Sequence, residues 1–354
     1  MEYRTIEEWC EILDSQRIPI TAKNRIEGPY PYYGANGIQD YVNDYIFDDE
    51  LVLLAEDGGN FGSKDRPIAY RVSGKCWVNN HAHVLKPKKG LDVDYLCYSL
   101  MFYNTNGLVN GATRQKLTQS TMRTMKIPCL EINEQQEIVQ KIKKIESILN
   151  DLNGQLELLD ELIKARFVEM FGDVGMGLFN YQTCKLGDVA KVGSSHRVFT
   201  TEFVESGIPF YRGTEIGELA NGKKPINPYY ISEEHYKRLA EDETKPLIGD
   251  LLMPSICNKG QVWMVDSEEP FYYKDGRVLC ISPNKEVFNS RFLQYFMREK
   301  TLVEYPKIGS GSTFAEFKIF LLKDMDVLVP PLELQNQFAS FVQEIDKSQF
   351  VLHQ

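Results

Sequence analysis

The chain has no C-x-x-C pair, no run of about eighteen apolar residues, no G-x-x-x-x-G-K-[ST] loop and no excess of basic charge. Each absence excludes something. The seven cysteines (Cys10, Cys76, Cys97, Cys129, Cys184, Cys257, Cys280) stand apart, so neither a zinc site nor a disulfide framework is signalled and reduced, mostly buried thiols are expected. Without a long apolar run no membrane-spanning helix is expected. The N-terminal MEYRTIEEWCEILDS is acidic and amphipathic where a signal peptide is basic and then apolar, which predicts a cytoplasmic protein. No ATP-binding loop is present. A net charge of −10 argues on its face against a nucleic-acid partner.

What is present is the composition of an ordinary soluble protein, 43% hydrophobic and 25% charged, with length for two domains at 354 residues. The acidity is uneven. Segment 131–173 holds ten acids against five bases, half of the net charge, so the flanking regions are closer to neutral.

In that segment apolar residues recur with alternating spacings of four and three: Ile138, Ile142, Ile145, Leu149, Leu152, Leu156, Leu159, Ile163, Phe167 and Met170. The spacing predicts a heptad seam on one long helix over 132–172, roughly 55 Å in length. Asn133 with Gln136 suggests a capping box at its start, and Gly172 a stop. Such a seam needs a partner helix.

Sliding the chain against itself by 200 residues supplies one. Met125 falls on Met325, Ile127 on Val327, Gln135 on Gln335, Ile138 on Phe338, Ile142 on Val342 and Ile145 on Ile345, without a gap. Pro31-Tyr32-Tyr33-Gly34 is answered by Pro209-Phe210-Tyr211-Arg212. His83-Val84-Leu85-Lys86-Pro87 is answered by Cys280-Ile281-Ser282-Pro283. The fold class expected is α+β: two tandem domains, 1–131 and 173–331, separated by a long helix over 132–172 and followed by a shorter one over 332–354. The two helices should form an antiparallel coiled coil with Phe338, Val342 and Ile345 on the second seam. That second helix is about half as long, so pairing should be partial.

These joints resemble the specificity subunits of type I restriction-modification systems, nearly throughout the chain. The similar segments are Met125-Lys126-Ile127-Pro128 through Val139, Val327 through Gln335, Lys185-Leu186-Gly187-Asp188-Val189-Ala190, Ile208 to Gly213, and Gly249-Asp250-Leu251-Leu252. The resemblance implies two target-recognition domains, each reading one half of a split site in double-stranded DNA. It implies helices that dock methyltransferase subunits, with restriction/translocase subunits completing the enzyme. S-adenosylmethionine, ATP and Mg would then belong to those partners, leaving this chain non-catalytic and without a cofactor. The short second helix departs from the pattern and puts full pairing in doubt.

Base reading calls for paired donors and acceptors in loops. Candidates in the first domain are Asn36, Asn60, Lys64, Arg66, Asn79, Asn80, His81, Arg114 and Lys116. Those in the second are Arg197, Arg212, Thr214, Asn258, Lys259, Lys274, Arg277, Ser312 and Thr313. Cys76, His81 and His83 read as strand residues rather than metal ligands, because two histidines two apart lack a fourth partner. Two other functions compete. A stand-alone methyltransferase or nuclease is disfavoured: Asn227-Pro228-Tyr229-Tyr230 only approaches the Asn-Pro-Pro-aromatic motif, and no glycine-rich loop for a methyl donor precedes it. A coiled-coil adaptor between proteins would take the acidic charge at face value.

Overall fold

A computed structural model of the chain describes residues 2–111, 113–242, 244–308 and 315–352. It divides into two compact units, 1–151 and 152–354. The division falls inside one long helix, which contributes its first half to unit 1 and its second half to unit 2.

Unit 1 runs β1 (Tyr3–Thr5), α1 (Ile6–Trp9), β2 (Cys10–Ile12), β3 (Tyr30–Gly34), β4 (Gly37–Val42), β5 (Phe47–Ala55), β6 (Ala69–Val78), β7 (Ala82–Pro87), α2 (Val93–Met101), α3 (Gln119–Thr124), β8 (Lys126–Pro128) and α4 (Ile132–Phe171). The central sheet has the order β2-β7-β5-β6-β3-β4, with β3 parallel to β6 and every other neighbour antiparallel. Val52, Leu54 and Leu85 face one core with Leu96, Leu100 and Met122. Leu51, Leu53 and Val84 face a second on the other side. This is the period-two burial of a sheet covered on both faces.

Unit 2 continues with β9 (Gly172–Asp173), β10 (Leu178–Phe179), β11 (Thr183–Lys185), α5 (Leu186–Val189), β12 (Ala190–Gly193), β13 (Phe203–Val204), β14 (Ile208–Tyr211), α6 (Gly213–Ala220), β15 (Tyr229–Ile231) and α7 (Glu233–Leu239). It closes with β16 (Leu251–Pro254), β17 (Trp263–Met264), β18 (Tyr272–Tyr273), β19 (Val278–Pro283), α8 (Ser290–Ile308), α9 (Ile319–Lys323), β20 (Asp326–Leu328) and α10 (Leu332–Leu352). Beside the two-stranded pairs β9-β10 and β11-β20, its strands form two four-stranded sheets, β12-β19-β16-β17 and β13-β15-β14-β18, with β14 parallel to β18. End to end this repeats the order of unit 1, except that β17 and β18 stand where unit 1 has the single strand β6 and that β13 adds an edge strand beside β15. The intervening Val265–Phe271 carries an acidic run and Pro270, which a strand interior does not accommodate.

The repeat is also in the joints. Antiparallel β1 and β8 close unit 1, and β11 and β20 close unit 2 in the same way. In unit 1 the Gln135 amide is fully buried. Its Nε2 donates to the carbonyls of Gly90 and Leu130, both at 2.9 Å, and its Oε1 accepts from the Asp92 N–H at 2.8 Å. In unit 2 buried Gln335 donates to the carbonyls of Val287 at 2.9 Å and Pro330 at 2.8 Å, and accepts from the Asn289 N–H at 3.0 Å. Asp92 in turn caps α2, and the Asn289 carboxamide oxygen accepts from Arg291 and Phe292 at the start of α8. Each glutamine therefore locks the first turn of a long helix to the start of a domain helix.

α4 begins at Ile132, with the Glu131 N–H on the Glu134 carboxylate at 3.0 Å. That replaces the Asn133–Gln136 box expected from the sequence, because the inward side chain of the first turn is Gln135. Gly172 ends the helix at φ +99°. Within unit 2 the second half of α4 packs on α10. Phe167 and Phe338 have ring centroids 5.3 Å apart, Phe171 and Phe338 5.7 Å, and Gln349 donates to Asp160 at 2.8 Å. Contacts that advance along α10 retreat along α4, so the pair is antiparallel. Ile163, Phe338, Val342 and Ile345 are buried there, Leu159 packs against them, and Leu152 and Leu156 are half-buried. The first half of the seam differs. Ile138 and Ile142 are half-buried, whereas Ile145 and Leu149 are 57% and 54% exposed. Among the described residues no helix is long and apolar enough to cross a membrane.

Replacing Gln335 by Leu would orphan one buried N–H and two carbonyls, a cost of about 3 kcal/mol. The urea midpoint of the full chain followed by circular dichroism should fall accordingly; an unchanged midpoint would contradict the lock.

Candidate nucleic-acid interface

The loops that the sequence marks as donor-rich converge at one end of the sheet in unit 1. Backbone bonds tie them together. The Asn79 N–H donates to the Tyr33 carbonyl at 3.0 Å, Glu56 to His81 at 2.8 Å, Leu117 to Glu56 at 2.7 Å and Gly58 to Gln115 at 3.0 Å. The Asn36 amide adds a bond to the Gly58 carbonyl at 3.0 Å. Gly58 has φ +71°, a backbone conformation that calls for glycine there. Asn36, Asn60, Asn79, Asn80, His81, Arg114 and Lys116 are thereby brought together, with Lys64 and Arg66 on the loop that follows β5.

The cations here are backed by carboxylates. Arg114 pairs with Asp57 at 2.8 Å and Lys116 with Glu56 at 3.2 Å, and the His81 ring lies beside Asp57. The side chains of Arg114 and Lys116 remain 59% and 50% exposed, so donors are held at the surface rather than withdrawn from it. Lys64, Arg66 and Asn80 are exposed and have no side-chain partner among the described residues. Asn79 is a correction. It is 4% exposed, its Nδ2 is on Gln39 at 3.0 Å and its Oδ1 takes the His81 N–H at 2.8 Å, so it builds the turn that presents Asn80. Asn60 is half-buried with its amide toward the Pro67 carbonyl.

Beneath this end lies a buried charged network that sequence reading did not find. The His83 Nδ1 faces Asp14 Oδ2 at 2.6 Å and its Nε2 faces the Leu117 carbonyl at 2.9 Å. Arg17 donates to Glu56 and to the Ala82 carbonyl, both at 2.7 Å, and Gln119 donates to Asp14 at 2.9 Å. Asp14, Glu56 and His83 come close enough together to suggest a metal site. The 2.6 Å separation is a direct hydrogen bond, however, and Arg17 already supplies a cation. The network anchors the segment of Lys116 and Leu117 to β7.

Unit 2 builds the same end with other side chains. Its Lys274 N–H donates to the Tyr211 carbonyl at 2.9 Å, Ser255 to Arg277 at 2.9 Å and Phe317 to Ser255 at 2.7 Å, each the counterpart of a bond in unit 1. Ser194 and Ser255 occupy the places of Asp14 and Glu56, so the buried charges are gone. Arg197, the counterpart of Arg17, is 67% exposed and pairs with Asp275 at 3.3 Å. Arg277 is 59% exposed beside Glu316, Lys274 is half-buried on Asp275, and Thr214, Asn258 and Lys259 are exposed. Arg212 departs from the free base-reader expected: Nε and Nη2 rest on Glu215 at 3.2 and 2.6 Å, with the guanidinium over Tyr229. Ser312 and Thr313 lie outside the described residues. Glu215 and Tyr229 were missed, although the Arg-x-x-Glu spacing at the start of α6 was a usable signal.

A family model for the type I restriction modification DNA specificity domain matches residues 1–159 and again 180–354. A putative type I restriction enzyme specificity subunit of Haemophilus influenzae is 30% identical over 98% of this chain and 88% of its own length. The MjaVIII specificity subunit of Methanocaldococcus jannaschii is 21% identical over 96% and 85%. A crystal structure of the type I system S subunit from M. genitalium shares the fold, with TM-score 0.58 at 15% identity over 99% of this chain and 91% of that one. The chain belongs to the type I restriction-modification DNA specificity family. It carries two specificity domains in tandem.

Burial raises the Asp14 carboxyl, but bonds from His83, Val84 and Gln119 outweigh it and hold the group below its usual range. Because the folded value is the lower one, this stabilisation is complete above the unfolded pKa of about 3.9 and is lost as pH falls through the folded value. Asp14→Asn should cost about 3 kcal/mol at neutral pH and flatten the acid limb of the unfolding curve below about pH 4. Superimposable acid limbs for wild type and variant would contradict the network.

Proposed function

We propose that the chain reads a bipartite target in double-stranded DNA, one half-site per domain, and catalyses no step itself. The observation that carries this reading is the loop end built twice on the same backbone bonds with different side chains. One scaffold supplies the position and two sets of donors supply two readings. The acidic total is no obstacle, because a large share lies on α4 and several of the remaining acids fix the exposed cations in place. The family name of its relatives supports the same role.

The helices dock methyltransferase subunits, to which restriction/translocase subunits add, and S-adenosylmethionine, ATP and Mg are handled by those partners. Exposed Ile145, Ile148 and Leu149 on α4, with Leu158 and Leu162 further along it, are apolar side chains available for docking. Enrichment of a random duplex library by the chain, with and without its methyltransferase subunit, should yield a split consensus; no split consensus with the subunit present would exclude the function. Ile145→Asp with Leu149→Asp should abolish co-elution of the methyltransferase subunit while the melting curve stays as in wild type. Unchanged co-elution would remove Ile145 and Leu149 from the docking surface.

A further inference from the structure

We propose that Arg212 reads one guanine in the half-site of the second domain, and that Glu215 and Tyr229 are the residues that position it. The proposal rests on the DNA-reading function above and deepens it. A guanidinium has two bidentate edges, a side edge (Nε with Nη2) and an end edge (Nη1 with Nη2). In Arg212 the side edge is taken by Glu215, which is itself 4% exposed and also accepts the Arg212 backbone N–H at 2.8 Å. Burial alone would raise the Glu215 carboxyl, but Arg212 and backbone N–H groups lower it, so its negative charge is secured. One face of the guanidinium lies over Tyr229, 4.5 Å from the ring centroid. The Tyr229 ring is stacked on Phe203 at 4.7 Å and 10°.

The carboxylate fixes rotation in the plane and the ring fixes the plane. The end edge remains, with Nη1 unbonded among the described residues and the side chain 41% exposed. Its two parallel donors match the O6 and N7 acceptors of guanine in the major groove, whereas adenine offers one acceptor beside a donor and thymine one acceptor beside a methyl group. An arginine already held in one rotamer loses little further entropy on contact. Arg212 directly follows Tyr211, whose carbonyl joins the loop end through Lys274. The equivalent residue of unit 1 is Gly34, so the first domain has no reader at this position.

The full chain assembled with its methyltransferase subunit would be used to enrich sites from a random duplex library, as wild type, Arg212→Ala and Glu215→Gln. Wild type should return a guanine at one position of one half-site. Arg212→Ala should lose that preference by about 5- to 150-fold at that position alone, with the other half-site unchanged. Glu215→Gln retains one acceptor and should weaken the same position by less, with the other half-site unchanged. An intact guanine preference in Arg212→Ala overturns the proposal, as does a loss spread evenly over the half-site, which would mark Arg212 as structural only. A Glu215→Gln chain indistinguishable from wild type removes Glu215 from the positioning role. A wild-type chain that returns no split site overturns the DNA-reading function itself.

Discussion

In each repeat one buried glutamine side chain ties the first turn of a long helix to the first turn of a domain helix, and the rest of the architecture is referred to that joint. Gln135 and Gln335 each use both donors and the acceptor of the amide on backbone groups. A residue that satisfies two carbonyls and one N–H in the interior cannot be replaced by an apolar side chain without orphaning all three. It also sets direction. With the joint locked, the inward face of the helix is determined, and the seam that continues from it follows at helical spacing.

From that joint outward the fold was legible in the sequence in proportion to how local its determinants are. The helix boundaries, the seam and the 200-residue register could be read because each depends on spacing along one segment. Gln135 and Gln335 aligned on sight, although nothing local distinguishes a buried glutamine from a surface one. The loops were harder. Asn79 and Asn80 are adjacent and chemically identical, yet one is turned inward to make a turn and the other is presented to solvent. Arg212 offered the right donors, but its carboxylate partner sits in the following helix and its stacking partner on another strand. The division of the β6 counterpart into β17 and β18 was not anticipated either.

The two domains show what duplication leaves free. Backbone bonds between loops, such as Asn79 to Tyr33 and Lys274 to Tyr211, survive because they position the loop end in either copy. Side chains beneath them have diverged. The first copy anchors its loops through Asp14, Arg17, Glu56 and His83, while the second places serines at Ser194 and Ser255 and turns Arg197 outward. A charged network and a pair of serines at equivalent positions thus support the same surface layout. Scaffold and reading surface can vary separately, which is the property a specificity subunit requires.

That separation can be measured directly. Sites enriched by the assembled complex would be compared for wild type, a Lys64→Ala/Arg66→Ala chain altered only in unit 1 and an Asn258→Ala/Lys259→Ala chain altered only in unit 2. Independent reading predicts that each double variant relaxes or weakens one half of the split consensus and leaves the other half as in wild type. Changes in both halves from either variant would contradict it.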